Sequence, residues 1–418
     1  MQKIPYKIID NVWLLRYNSF NNFYLRCHMN LSEKINELLD AAVKNGDISG
    51  ANILVIKNGE EKAYSESGMR DIENALPVQR DTIFRLYSQT KPVTAAAAVL
   101  AASEGIIDIS ADIADYLPEF SEIYVNNGER FRSPKAITVR DLLNMTSGLA
   151  YPHEGTAGGE QAGGVFWQIE QRMETDNPVT TAEFSHMMAK TDLCNIPGEK
   201  FMYGTSADIM GALIERASGM SFREYLYDRI LSPLQMNDTD FWVPAEKQSR
   251  LAKIYDYNEN GLYECRTSHL GLRYERDVIP AFQSGGAGLC STLDDYSKFA
   301  LMLMNGGEYN GKRIMPEAAV RFLTSGGINP KLSYQLQEGW DWMTGYTYGN
   351  FMRICENEKI TSLFSSEGEY GWDGWLGTFF SNEPKHGITL LMGVQQVGIG
   401  RAGTLLRKIK NVVMSELA

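Results

Sequence analysis

The chain has 418 residues, 44% hydrophobic and 22% charged, an ordinary globular composition that excludes a disordered chain. Its 40 Lys and Arg face 52 Asp and Glu, a net charge of −12, which argues against nucleic acid as the main partner because phosphate binding needs a basic stripe. No run of 18 apolar residues occurs, so no membrane-spanning helix is expected.

In chain order, residues 1–28 read as an N-terminal extension ahead of a domain over 29–418. The extension lacks a small-residue cleavage site and does not read as a secretory signal. Five scattered cysteines form neither a disulfide framework nor a C-x-x-C pair, so a cytoplasmic location is expected. Apolar residues at helical spacing (Ile35, Leu38, Leu39, Ala42) predict a helix with Ser32 as N-cap and Gly46 as stop. Two β-leaning runs then flank Asn58-Gly59, a strong hairpin signal. The stretch from Thr94 to Ala102 is nearly pure helix former and Gly105 ends it. Residues His153 to Val179, rich in glycine around 155–164, read as a long loop, a surface feature or a mobile wall over a site. Near the end, Trp375 to Ser381 and Gly387 to Val394 read as strands, and a helix is expected from Gly403 to Glu416. Strands at both ends around a helical middle, roughly 106–280, predict an α+β fold with an inserted helical subdomain.

The histidines stand far apart with no H-x-x-x-H or H-E-x-x-H spacing, so no metal site is expected and no cofactor is implied. G-x-S-x-G and glycine-rich phosphate loops are absent too. What remains is Ser88-Gln89-Thr90-Lys91 at the start of the alanine-rich helix. Ser88 and Lys91, at i and i+3, share one face. A serine there can attack a carbonyl while its own N–H stabilises the oxyanion, and a lysine held as a neutral amine can accept the serine proton. Alone, S-x-x-K carries little: about one chance match is expected in a chain of this length, and a capping serine beside a solvated lysine is then the favoured reading.

Context changes the weight. FRLYSQTKPVTAAAAVLAASEGIIDI, TVRDLLNMTSGL, PGEKFMYGTSADIMGALIERASG, SGGAGLCSTLDDYSKFALMLMNGG and YGWDGWLGTFF occur in this order. Together they resemble the serine β-lactamase and penicillin-binding-protein superfamily, in its class C β-lactamase-like branch with the family VIII carboxylesterases and D-aminopeptidases. The resemblance runs from about Ile48 to Val413. It implies a β-lactamase/transpeptidase-like fold: an antiparallel five-stranded sheet flanked by helices, plus a helical subdomain. It also implies that Ser88 is the acylated nucleophile, Lys91 its proton-accepting neighbour, and Tyr203 the first residue of Y-x-N, which activates the serine or the deacylating water.

The chain departs from that pattern at three places. Thr205 replaces the asparagine of Y-x-N, which puts substrate-amide recognition in doubt. Met145 replaces the histidine before Thr146-Ser147-Gly148. Trp372-Asp373-Gly374 stands where K-T-G is usual, similar to the W-x-G of some esterases of the branch. Trp375 is then expected to supply the second oxyanion N–H, Trp372 an apolar face, and Asp373 a negative charge. These features favour a carboxylesterase on small or medium neutral esters, with weak or no β-lactamase activity. A β-lactamase, a D-amino-acid peptidase or an acyltransferase of the same fold is the alternative, and an inactive binding module is a reading of another class. The expected partner is a small ester or amide; the oligomeric state is open.

Overall fold

Asn58 and Gly59 take the positive φ values of +53° and +80° that a two-residue hairpin turn with right-handed strand twist needs. They join β1 (Gly50–Lys57) to β2 (Glu60–Asp71), within a computed structural model that describes residues 29–275, 278–398 and 400–418. The extension expected over residues 1–28 lies outside the described residues. A short β3 (Leu76–Pro77) borders β2. From the far end of the chain come β4 (Tyr346–Gly349), β5 (Met352–Cys355), β6 (Tyr370–Asp373), β7 (Phe379–Glu383) and β8 (Ile388–Val394). The order is β4-β5-β6-β7-β8-β1-β2-β3, and every neighbouring pair is antiparallel. The sheet thus has eight strands, not the expected five. The edge strand β3 and the β4–β5 hairpin are the additions, runs too short to read from alternation.

β1 is buried along both faces, and period two divides its side chains. Ala51, Ile53 and Val55 join Leu390 and Met392 under the two terminal helices, α1 (Leu31–Lys44) and the C-terminal helix Gly400–Leu417. Leu54 and Ile56 face the larger core with α2 (Lys91–Ser103). α1 starts two residues earlier than an N-cap at Ser32 predicts, because Asn30 is the N-cap and forms a reciprocal capping box with Glu33.

Between the two halves of the sheet lie α3 (Ala157–Arg172), α4 (Ser206–Ser218) and α5 (Leu293–Met304). Short ladders, Tyr124–Asn126 with Arg130–Arg132 and Tyr255–Asn258 with Gly261–Glu264, interrupt the helical middle. The expected long loop over 153–179 is instead largely α3, capped by Thr156, whose hydroxyl accepts the Gly159 N–H at 3.1 Å. Its early glycines serve packing: a Cβ at Gly159 would sit 2.5 Å from the backbone of His153. The expected strand from Trp375 begins only at Phe379, since Gly377 N–H bonds Gly374 O at 2.9 Å and turns the chain there. Among the described residues no helix is long and apolar enough to cross a membrane, and no group of three or more His, Cys, Asp or Glu stands where it could hold a metal.

Charge is buried on the sheet beneath β5–β7 and the last helix. Glu369, fully buried, pairs with Lys410 at 3.0 Å and Arg353 at 3.3 Å and accepts Ser381 Oγ at 2.6 Å. Burial alone would raise the Glu369 carboxyl, but the Lys410 and Arg353 cations override it and hold the group well below its usual range. Glu369→Gln keeps the shape but removes the carboxylate that Lys410 and Arg353 share, leaving Lys410 only Glu383 at 3.5 Å and Arg353 only Asp373 at 2.6 Å. It should lower the urea unfolding free energy by about 3–5 kcal/mol; a loss below about 1 kcal/mol would show that the network carries little stability.

Candidate active site

Every residue from Thr82 to Ala101 is buried except Ser88. Ser88 lies in a 3₁₀ turn, Tyr87–Thr90, that runs into α2. Tyr87 just before it has φ +44°, a strained value for a bulky residue. Surrounding bonds hold this turn: Leu86 N–H to Leu289 O at 2.9 Å, Leu289 N–H to Thr90 Oγ1 at 3.1 Å, and Tyr296 OH to Gln89 O at 2.9 Å. The 284–289 segment therefore wraps the start of α2.

Lys91 is fully buried, so each polar neighbour of its amine counts. Nζ lies 3.1 Å from Ser88 Oγ, 3.2 Å from Tyr151 OH and 2.8 Å from Gly286 O. It also lies 4.7 Å from the Tyr203 ring centroid and 5.3 Å from that of Tyr151, within range of cation–π attraction. Beneath the lysine, Asp208 in the first turn of α4 is almost wholly buried. It accepts from Ser284 Oγ, from Gly286 N–H at 3.0 Å and from Tyr151 OH at 3.4 Å. Burial raises the Asp208 carboxyl above its ordinary value, and the nearby Lys91 charge opposes the rise. Burial, reinforced by Asp208, pushes the Tyr151 phenol well above its ordinary range, so Tyr151 stays protonated.

Tyr203 precedes α4 and accepts the Trp372 indole N–H at 3.0 Å. Trp372 is 3% exposed, wedged among Tyr203, Tyr348 and Trp340. It therefore orients Tyr203 and offers no broad face to the cleft, contrary to expectation. Asp373 is likewise not a free negative charge: Arg353 Nη1 pairs with it at 2.6 Å. Gly374 lets the β6–β7 turn approach the serine segment, because a Cβ there would fall 2.4 Å from Leu86 O. Thr205 is fully buried, its hydroxyl without a partner among the described residues, and does not line the cleft. Trp375 does, packing 5.0 Å from Tyr87 and stacking on His269 at 4.2 Å. Among the described residues, neither the Ser88 nor the Trp375 backbone N–H donates to the protein. The Thr146-Ser147-Gly148 stretch braces the start of α4, with Ser147 Oγ 2.8 Å from Ser206 Oγ.

A cavity of about 340 Å³ opens over Ser88, its wall including Tyr87, Tyr151, Phe166, Tyr203 and Trp375, within the size range of small-molecule sites. The structure thus brings Ser88, Lys91, Tyr203 and Trp375 together, places Trp372, Asp373 and Gly374 behind them, and withdraws Thr205. Tyr151, Asp208 and His269 were missed from sequence. Asp208 carried a usable signal: an acid amid the otherwise buried Ser206–Ile214 run needs partners. Tyr151 and His269 carried none beyond their residue type.

The model of the Beta-lactamase family matches residues 35–412. An uncharacterized protein of Mycobacterium tuberculosis, MT1414, is 30% identical over 86% of this chain and 88% of its own. Esterase EstB of Burkholderia gladioli is 25% identical over 92% of this chain and 95% of its own. Among solved structures, EstCE1, described as a hydrolase with promiscuous acyltransferase activity, superimposes with a TM-score of 0.76 at 22% identity over 92% of this chain and 98% of its own. The chain belongs to the Beta-lactamase family, a serine hydrolase superfamily of β-lactamase/transpeptidase-like fold with esterase relatives.

Proposed function

We propose that the protein is a serine hydrolase that forms an acyl-enzyme on Ser88 and acts as a carboxylesterase on small or medium esters that carry no negative charge, with weak or no β-lactamase activity. The observation that carries the reading is the 3.1 Å contact between Ser88 Oγ and a buried Lys91 amine at the floor of an aromatic cavity.

The three partners of Lys91 suit proton transfer. A neutral amine has two N–H donors, for Gly286 O and Tyr151 OH, and one lone pair, for the Ser88 hydroxyl. After taking the serine proton, the ammonium meets the same three atoms as acceptors, so the charge moves without rearrangement. Ser88 Oγ attacks the ester carbonyl, and its proton passes to Nζ. The free N–H groups of Ser88 and Trp375 receive the oxyanion. Tyr203, fixed by the Trp372 N–H, passes the proton on to the leaving alkoxide, and the ester C–O bond breaks. Water then repeats the sequence in reverse on the acyl-enzyme; an alcohol in its place would make the reaction acyl transfer.

Lys91 and Tyr203 therefore act as one unit with Ser88. Lys91→Ala, Tyr203→Phe and the double variant should show losses in kcat/KM far from additive, the double variant losing little more than the worse single. Losses that add fully would separate the two residues.

The preference against anionic substrates follows from the wall, where no Lys or Arg stands among the described residues to hold an antibiotic carboxylate. A charge-assisted hydrogen bond is worth about 1.5–3 kcal/mol, so its absence costs roughly ten- to a hundred-fold in affinity. p-Nitrophenyl butyrate should exceed nitrocefin in kcat/KM on one preparation. A nitrocefin advantage above about tenfold would make the protein a β-lactamase instead.

A further inference from the structure

The same wall separates substrates by the sign of their charge. Trp167, 61% exposed, projects from α3 into the cavity lining beside Phe166. Glu170 follows Trp167 at i+3, on the same helix face, and also lines the cavity. Among the described residues of the wall it is the one Asp, Glu, Lys or Arg: the remaining lining is aromatic, aliphatic or uncharged polar, and burial lowers the pKa of His269, leaving a neutral imidazole. Glu170 has no ion-pair or hydrogen-bond partner among the described residues. Among the described residues, Arg172 is engaged with Glu183 at 2.6 Å and Arg273 with Glu174. Below the cavity, Asp208 balances Lys91. An unpartnered carboxylate beside exposed indole and imidazole-on-indole surfaces is the combination that attracts an organic cation: rings offer their negative faces and the carboxylate supplies the counter-charge. A purely apolar acyl group would gain from the rings and nothing from Glu170.

Resting on the acyl-transfer reading, we infer that the cavity selects esters or amides whose acyl or alcohol arm carries an ammonium group, with Glu170 and the Trp167 side of the wall as its recognition elements. The chain's net charge of −12 adds long-range attraction for such substrates at low salt.

The test compares matched pairs that differ only in charge. Butyrylcholine is set against neohexyl butyrate, and the p-nitrophenyl ester of γ-trimethylammoniobutyrate against that of its tert-butyl carbon isostere. In at least one pair the cationic ester should lead by about tenfold in kcat/KM at low ionic strength, with the lead shrinking in salt and in Glu170→Gln. Equal turnover within about twofold in both pairs, or a lead for the neutral esters, overturns the inference while leaving the esterase reading intact. A cationic lead unchanged in Glu170→Gln also overturns it, because the selection would then lie elsewhere. If no ester of either pair turns over and Ser88 takes up no acyl group, the esterase reading fails and this inference falls with it.

Discussion

A lysine amine buried to the last atom is the constraint around which the centre of this molecule is arranged. An ammonium or amine removed from water must recover its hydrogen bonds or cost several kcal/mol. Here the recovery draws on three distant parts of the chain: Ser88 from the turn before α2, Tyr151 from the loop before α3, and Gly286 from the segment before α5. Asp208 then supplies the charge that compensates the ammonium formed when Lys91 takes the serine proton, and itself binds Tyr151, Ser284 and Gly286. Apart from Ser88, three residues from Lys91, each of these contacts closes a long loop. The polar centre and the packing of α2 against α4 are therefore one structure, and a group left unsatisfied there would be felt throughout.

The second half of the cleft is held by the sheet. The β6–β7 turn presents Trp375 toward Ser88, and its position depends on Gly374 fitting against Leu86 O and on Arg353 pairing with Asp373. Arg353 continues to Glu369, and Glu369 to Lys410 on the last helix. A chain of buried ion pairs thus links the C-terminal helix to the strand whose tryptophan orients Tyr203. Burial raises the Asp373 carboxyl, and Arg353 opposes the rise, so the charge that its sequence position suggests for substrate repulsion is spent inside the sheet.

Much of this was legible in the sequence. The Asn58-Gly59 hairpin and the alanine-rich helix after Ser88 follow from local signals strong enough to survive tertiary packing. Motif order supplied the pairing of Ser88 with Lys91 and the nearness of Tyr203. Local signals failed where packing decided instead. Glycines over 155–164 suggested a loop, yet Gly159 is small because His153 crosses it, and the segment is helical. Trp372 suggested a substrate platform, but its indole N–H is committed to Tyr203. Tyr151 and Asp208 touch Lys91 or its partners only through the fold, at sequence separations that no spacing pattern encodes.

The account stands or falls on where the acyl group goes. The most direct measurement is intact-protein mass spectrometry after rapid mixing with a butyrate ester and acid quench, followed by peptide mapping. The account predicts a mass increase of one butyryl group on the peptide containing Ser88, absent in Ser88→Ala. Ester turnover with no adduct at Ser88, or with the adduct on another residue, would contradict it.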